Sequence, residues 1–163
     1  MKTKALPSNA NPIGQGTFRF DCHPAIDCFT VCCRDVDMYL YPYDIIRMKR
    51  SLRITSDELL KRHTFSAVRD NPFFPSVMLR MAENPEKSCP FLSQHGCSIY
   101  EDRPSSCRTY PLERAVARSP LQGRREDHYF VKRVPHCLGH QENKEKGSAS
   151  THEDKEAVWT RES

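Results

Sequence analysis

Cys89-Pro90-Phe91-Leu92-Ser93-Gln94-His95-Gly96-Cys97-Ser98-Ile99-Tyr100-Glu101-Asp102-Arg103-Pro104-Ser105-Ser106-Cys107-Arg108 decides how the rest of the chain is read. Its cysteines fall in a turn, a short strand (Cys97–Tyr100) and one helical turn, for which Asp102 is set as N-cap with proline in the first turn. No two of them form a close local pair, so only folding can bring their thiols together. A metal held between them would contribute directly to fold stability, roughly 10–16 kcal/mol for structural zinc in small peptides.

Outward from this stretch the eight cysteines divide into two sets along the chain: Cys22, Cys28, Cys32 and Cys33, then Cys89, Cys97, Cys107 and Cys137. All eight are candidate metal ligands. If Cys28–Cys33 is helical, Cys28 and Cys32 share a face and Cys33 lies ~100° away. Cys32 and Cys33 then do not ligate one tetrahedral zinc together. Either one is spare, or they serve different metals, or they bridge into a polynuclear centre. A cysteine left unligated would be a reactive thiol. His23 and His136 adjoin cysteines and read as solvated neighbours rather than ligands. Arg108, beside Cys107, reads equally as a donor to thiolate sulfur and as a surface arginine.

Of 163 residues only 37% are hydrophobic, so the core is thin for the length and a staple is expected. The start, Met1-Lys2-Thr3-Lys4-Ala5-Leu6-Pro7, lacks the apolar stretch of a secretory signal, and no apolar run reaches the ~18 residues of a membrane span. The expected compartment is the cytoplasm, without membrane attachment, where clustered cysteines hold metals more often than disulfides. The formal charge is +4, with the densest basic group at Arg47, Lys49, Arg50 and Arg53. That group is too short for a nucleic-acid stripe. It suits another purpose, since a metal with four thiolates carries about −2 and nearby arginines offset it.

The remaining pattern is α+β: two to three helices and short antiparallel strands around a cysteine-ligated metal. Residues 1–17 are expected to be flexible, 18–138 to form the metal-binding domain and 139–163 a polar tail, with a last short helix including Trp159. Pro42–Leu52 reads as a helix with Ile45, Ile46, Met48 and Leu52 on its apolar side. Ser56–His63 reads as a second, opened by a Thr55…Glu58 capping box. Val77–Met81 reads as a strand. Leu112–Ala117 and Tyr129–Val134 read as a strand pair around the Gly123 turn.

Several familiar sites are excluded. No C-x-x-C is present, so there is neither a zinc ribbon nor a thioredoxin-type motif. No C-x₂-C-x₂-C run marks a bacterial ferredoxin, and Cys28-x₃-Cys32 lacks the third cysteine of a radical-SAM loop. Gly14-Gln15-Gly16 is not a nucleotide fingerprint.

The order Cys…Cys-x₃-Cys-Cys, then Cys89-Pro90-Phe91-Leu92, then Cys97 through Arg103-Pro104 to Cys107-Arg108, then Cys137, resembles the YkgJ-type cysteine-cluster family, also called CxxCxxCC. The gaps before the double cysteine are five and three residues where the family name has two. The resemblance covers about Phe18 to Cys137 and implies chelation of zinc or iron. A related cluster in flagellin lysine N-methylases implies that methyl transfer occurs among relatives. The leading expectation is a metal-binding protein holding an iron–sulfur cluster or zinc, with iron favoured because adjacent cysteines suit a centre with several metal corners. The alternatives are a metal- or thiol-dependent enzyme acting on another protein, and a metal-stapled module for a protein partner.

Overall fold

A computed structural model describes residues 10–13, 17–69, 72–118, 125–142 and 145–147. In chain order the described elements are β1 (Ala10–Pro12), β2 (Thr17–Arg19), α1 (Pro42–Leu52), α2 (Ser56–His63), β3 (Thr64–Ala67), β4 (Ser76–Leu79) and β5 (Leu92–Ser93). They continue with β6 (Gly96–Cys97), α3 (Ser105–Thr109), β7 (Leu112–Arg118), β8 (Arg125–Lys132) and β9 (Glu145–Gly147). The architecture is α+β, with three α-helices and every strand pair antiparallel among the described residues. The expected helix with Trp159 lies outside the described residues. The chain forms two compact units, one of residues 23–108 and one that joins 1–22 to 109–163.

The unit of residues 23–108 is built on α1 and α2. Pro42 opens α1, and the Asp44 carboxylate accepts the Tyr41 N–H at 3.0 Å, tying off the helix start. Ile45, Met48 and Leu52 face the core, while Ile46 is turned outward. Thr55 Oγ1 accepts the Glu58 N–H at 3.1 Å and caps α2. The expected reciprocal bond is replaced, because the Glu58 carboxylate takes Arg62, one turn on, at 2.7 Å. Met48 and Leu59 are fully buried against Leu40, Leu79, Phe91 and Ile99. Residues 38–40 run along β4 through Leu40 N–H to Val77 O and Leu79 N–H to Met38 O, both at 2.9 Å.

The expected strand at Cys97–Tyr100 shortens to Gly96–Cys97, because Tyr100–Asp102 turn into a 3-10 segment. Asp102 ends that segment rather than capping α3, and instead holds Arg47 at 3.0 Å.

In the other unit, β1, β8 and β7 make a sheet in that order, with Leu112 opposite Val131 and Arg118 opposite Arg125, as the expected hairpin requires. β1, inside the stretch expected to be flexible, pairs with β8, and β9, inside the expected tail, pairs with β2. Phe18, Phe20, Leu112 and Val131 form the core. Gly139 is required there: a Cβ would meet the Asp21 carbonyl oxygen at 2.6 Å and the Phe20 ring at 2.7 Å.

Candidate metal centre

The site grows from a backbone zipper. Cys89 N–H donates to Cys33 O at 2.8 Å and Asp35 N–H to Lys87 O at 3.0 Å, with Arg34 bridged to Ser88. Arg34–Glu86 (2.8 Å) and Lys87–Asp35 (2.9 Å) ion pairs flank it. This pairing brings Cys33 beside Cys89 although 55 residues of chain lie between them. After Cys89 the chain turns, with Leu92 N–H donating to Cys89 O at 3.0 Å. The Phe91 and Leu92 amides also donate to the Cys89 sulfur, an arrangement that stabilises a thiolate.

β5 and β6 carry the next thiol. Gly96 turns between them with φ +105°, a conformation that disfavours a side chain, and a Cβ there would lie 3.2 Å from the Phe29 ring. The hairpin bearing Cys97 therefore rests on the turn that precedes Cys32. That turn is not an α-helix. Thr30 has φ 65°, and Val31–Cys33 is a single 3-10 turn. The expected helical projection of Cys28 with Cys32 therefore does not hold. Nor do Cys32 and Cys33 point apart, because their side chains hydrogen-bond to each other.

Cys107 arrives on α3. The fully buried Asp44 fixes that helix: Oδ1 accepts Ser105 N–H at 2.8 Å and Oδ2 accepts the Ser105 hydroxyl at 3.2 Å. Asp44 was not a candidate from sequence. Its partners lie 61 residues away, and no local signal announces them.

Cys33 is electrostatically coupled to Cys89, Cys97 and Cys107, and Cys107 also to Cys32. Five cysteines from both sequence sets thus share one neighbourhood, and none of the five is in a disulfide. Spatial grouping cuts across the two sets seen along the chain. Burial is the main cause pushing the Cys107 thiol up to about 12, with repulsion from Cys89, Cys97 and Cys32 adding to it. Burial likewise raises Cys89. The hydrogen bond between the adjacent thiols raises Cys32 and lowers Cys33.

Positive charge lies close by. Arg34 favours ionised Cys32 and Arg103 favours ionised Cys107. Arg103 stacks on Tyr100 at 3.7 Å and donates to the Tyr100 carbonyl at 2.9 Å. Arg108 and Arg47 each stand 5.8 Å from the Tyr43 ring, and each has a buried Nε without a partner among the described residues. Arg108 therefore lies against an aromatic ring rather than at the surface.

The other candidates lie elsewhere. Cys28 belongs to the same unit and its carbonyl accepts Val31 N–H at 3.1 Å. Cys22 and Cys137 belong to the other unit, on neighbouring stretches of chain joined by Asp21 N–H to Gly139 O at 3.0 Å. Cys137 packs against the Phe18–Val131 core. His136 is exposed.

The donor chemistry fits a thiophilic metal: clustered soft sulfur ligands, amides aimed at sulfur and adjacent guanidinium groups. Among the described residues no three His, Cys, Asp or Glu side chains stand as a finished coordination shell. The thiols are gathered, and closing on an ion requires side-chain rotation and loss of protons.

No curated protein and no solved structure matches the chain. The CxxCxxCC family model, described as "Putative zinc- or iron-chelating domain", matches residues 21–154, a span that holds all eight cysteines. On that match, and with its cysteines gathered from distant segments, the chain belongs to the CxxCxxCC family.

Proposed function

We propose that this protein is a cytoplasmic metal-binding protein that holds iron, as an iron–sulfur cluster, through cysteine thiolates. The observation that carries this reading is the convergence of Cys32, Cys33, Cys89, Cys97 and Cys107 in one unit, unbridged. One tetrahedral zinc takes four ligands, and five neighbouring thiols with an adjacent pair suit a polynuclear centre better. Cys28, in the same unit, is a further proposed ligand, and Cys22 and Cys137, in the other unit, are proposed as metal ligands in their own right.

The chain's own residues have definable parts. Phe91 and Leu92 amides hold charge on the Cys89 sulfur, and Arg34 and Arg103 offset the charge of the assembled thiolates. Asp44 sets the position of α3 and with it Cys107. An iron–sulfur cluster bound there would supply one-electron chemistry together with a covalent cross-link between distant segments.

Anaerobic purification, a visible spectrum, and iron, zinc and acid-labile sulfide analysis test the reading. A brown protein with iron and sulfide in stoichiometric amounts is expected. A colourless protein with one equivalent of zinc contradicts the iron assignment.

A further inference from the structure

In the unit of residues 23–108, β3 pairs with β4 in a register that runs from Thr64 opposite Leu79 to Ala67 opposite Ser76. One position earlier, Arg80 N–H donates to His63 O at 2.8 Å. Antiparallel pairs alternate between bonded and non-bonded. Phe65 and Ala67 therefore bond inward to β4, while Thr64 and Ser66 turn their N–H and C=O groups outward. The far edge of β4 is taken by residues 38–40. Among the described residues no strand takes the outer edge of β3. Thr64 is closed off within the unit: it is buried, its carbonyl accepts Arg80 Nη2 at 2.8 Å and its hydroxyl donates to Leu60 O at 2.7 Å. Ser66 and, two residues on, Val68 are exposed, and on this edge neither has a hydrogen-bond partner among the described residues.

The same hairpin exposes apolar side chains. Phe73 is 84% exposed, Phe74 69%, Val68 64% and Phe65 38%. Together they leave about 500 Å² of apolar surface open, the size at which exposed apolar surface marks an interaction site. Edge strands that stay single are commonly guarded by a charge or a proline, and Thr64-Phe65-Ser66-Ala67 has neither. Arg69, just beyond, is held by Asp37 at 2.8 Å, so charge does not oppose the approach of a like strand.

We propose that this edge joins two copies of the chain, with β3 antiparallel to β3 of the second copy about a two-fold axis at Ala67. In that register Ser66 faces Val68 of the second copy, and the residues with open amides and carbonyls exchange N–H···O bonds in both directions. The exposed side chains of two copies bury about 1,000 Å², to which the strand backbones add, and this reaches the size of a specific but weak interface. A lipid surface would suit the aromatic rings but offers no partner to the strand's amides. A second copy offers both, from a strand that is already extended and costs little to order. Two-fold pairing is also the commonest symmetry of soluble oligomers. The interface does not depend on the metal centre.

Sedimentation equilibrium of the full chain under reductant, from about 1 to 100 µM, tests it. A monomer–dimer equilibrium with a micromolar Kd is expected. Ser66→Pro removes an outward N–H and no bond to β4, and should raise Kd about tenfold or more. Ser66→Ala keeps that N–H and should leave Kd unchanged. Phe73→Ser combined with Phe74→Ser should also raise Kd about tenfold or more, and it carries the test alone if Ser66→Pro fails to fold by far-UV circular dichroism. A chain that stays monomeric at about 100 µM overturns the proposal. Flotation of that monomer with phosphatidylserine-containing vesicles would assign the aromatic rings to lipid instead. A dimer whose Kd neither Ser66→Pro nor the double variant moves, as for one bridged by thiols or a shared metal, also overturns it.

Discussion

Asp44 is the residue on which the geometry of Cys107 depends. It is fully buried, it accepts the Tyr41 amide at the start of its own helix, and it accepts both Ser105 donors at the start of α3. Removing it leaves three part-buried donors without their acceptor, at a cost of about 1–3 kcal/mol for each that water does not reach. Asp44→Ala should therefore destabilise the protein by about 3 kcal/mol or more in urea unfolding. It should also lower metal content without touching a thiol, which elemental analysis would detect.

The thiols themselves set a pH dependence. Cys89 and Cys107 hold their protons more tightly in the metal-free fold than the ordinary thiol value of 9.0, Cys107 up to about 12. The folded state then binds more protons than the unfolded state between those values. By linkage the metal-free protein should lose stability as pH rises from 9 towards 12 and keep it below 9. Cys32 and Cys33 shift in opposite directions, Cys32 up and Cys33 down. Cys107→Ser should flatten the loss, as followed by thermal melting of the apo protein. At neutral pH metal binding must displace these protons, so affinity should fall as pH falls, with proton release measurable by calorimetry in two buffers.

At the scale of elements, local chemistry explains α1 and α2 and long-range pairing explains the site. Pro42 and Thr55 mark helix starts by rules that act within one turn, and both helices have the ends those rules imply. The two ends of the Thr55 cap can be separated. Thr55→Ala should cost about 1 kcal/mol, whereas Glu58→Ala should cost about 0.3–0.5 kcal/mol, since Glu58 pairs with Arg62 and not with the cap. Chemical denaturation of the two variants measures this difference.

Gly96 is an element-scale control of the site. Its φ is +105°, and a Cβ at this position would stand 3.2 Å from the Phe29 ring, which makes Gly96→Ala unfavourable by about 1–3 kcal/mol. The strain falls beside Cys97, so the variant should also bind metal less tightly, as chelator competition would report. The residue types of the site were legible in the sequence, because eight cysteines in a chain with a thin core have few other uses. Their spatial partition was not. It depends on the zipper between residues 33–35 and 87–89 and on the 3-10 geometry of Val31–Cys33, neither of which leaves a periodic trace. Asp44 was hidden for the same reason: it looks like an ordinary first-turn acid until Ser105 is placed against it.

At the scale of the whole molecule, each unit has a small core of its own and the thiols are shared unequally between them. Six cysteines lie in residues 23–108, and Cys22 and Cys137 lie in the other unit. Among the described residues no helix is long and apolar enough to cross a membrane. With cores this small, a metal cross-link between distant segments would supply a large part of the stability of residues 23–108. The most direct test is metal stoichiometry in anaerobically purified wild-type protein and in the Cys107→Ser variant, normalised to folded protein. Stoichiometric metal in the wild type and a clear loss in the variant are predicted. A metal-free wild type, or unchanged stoichiometry in the variant, would contradict a cysteine-held metal at this site.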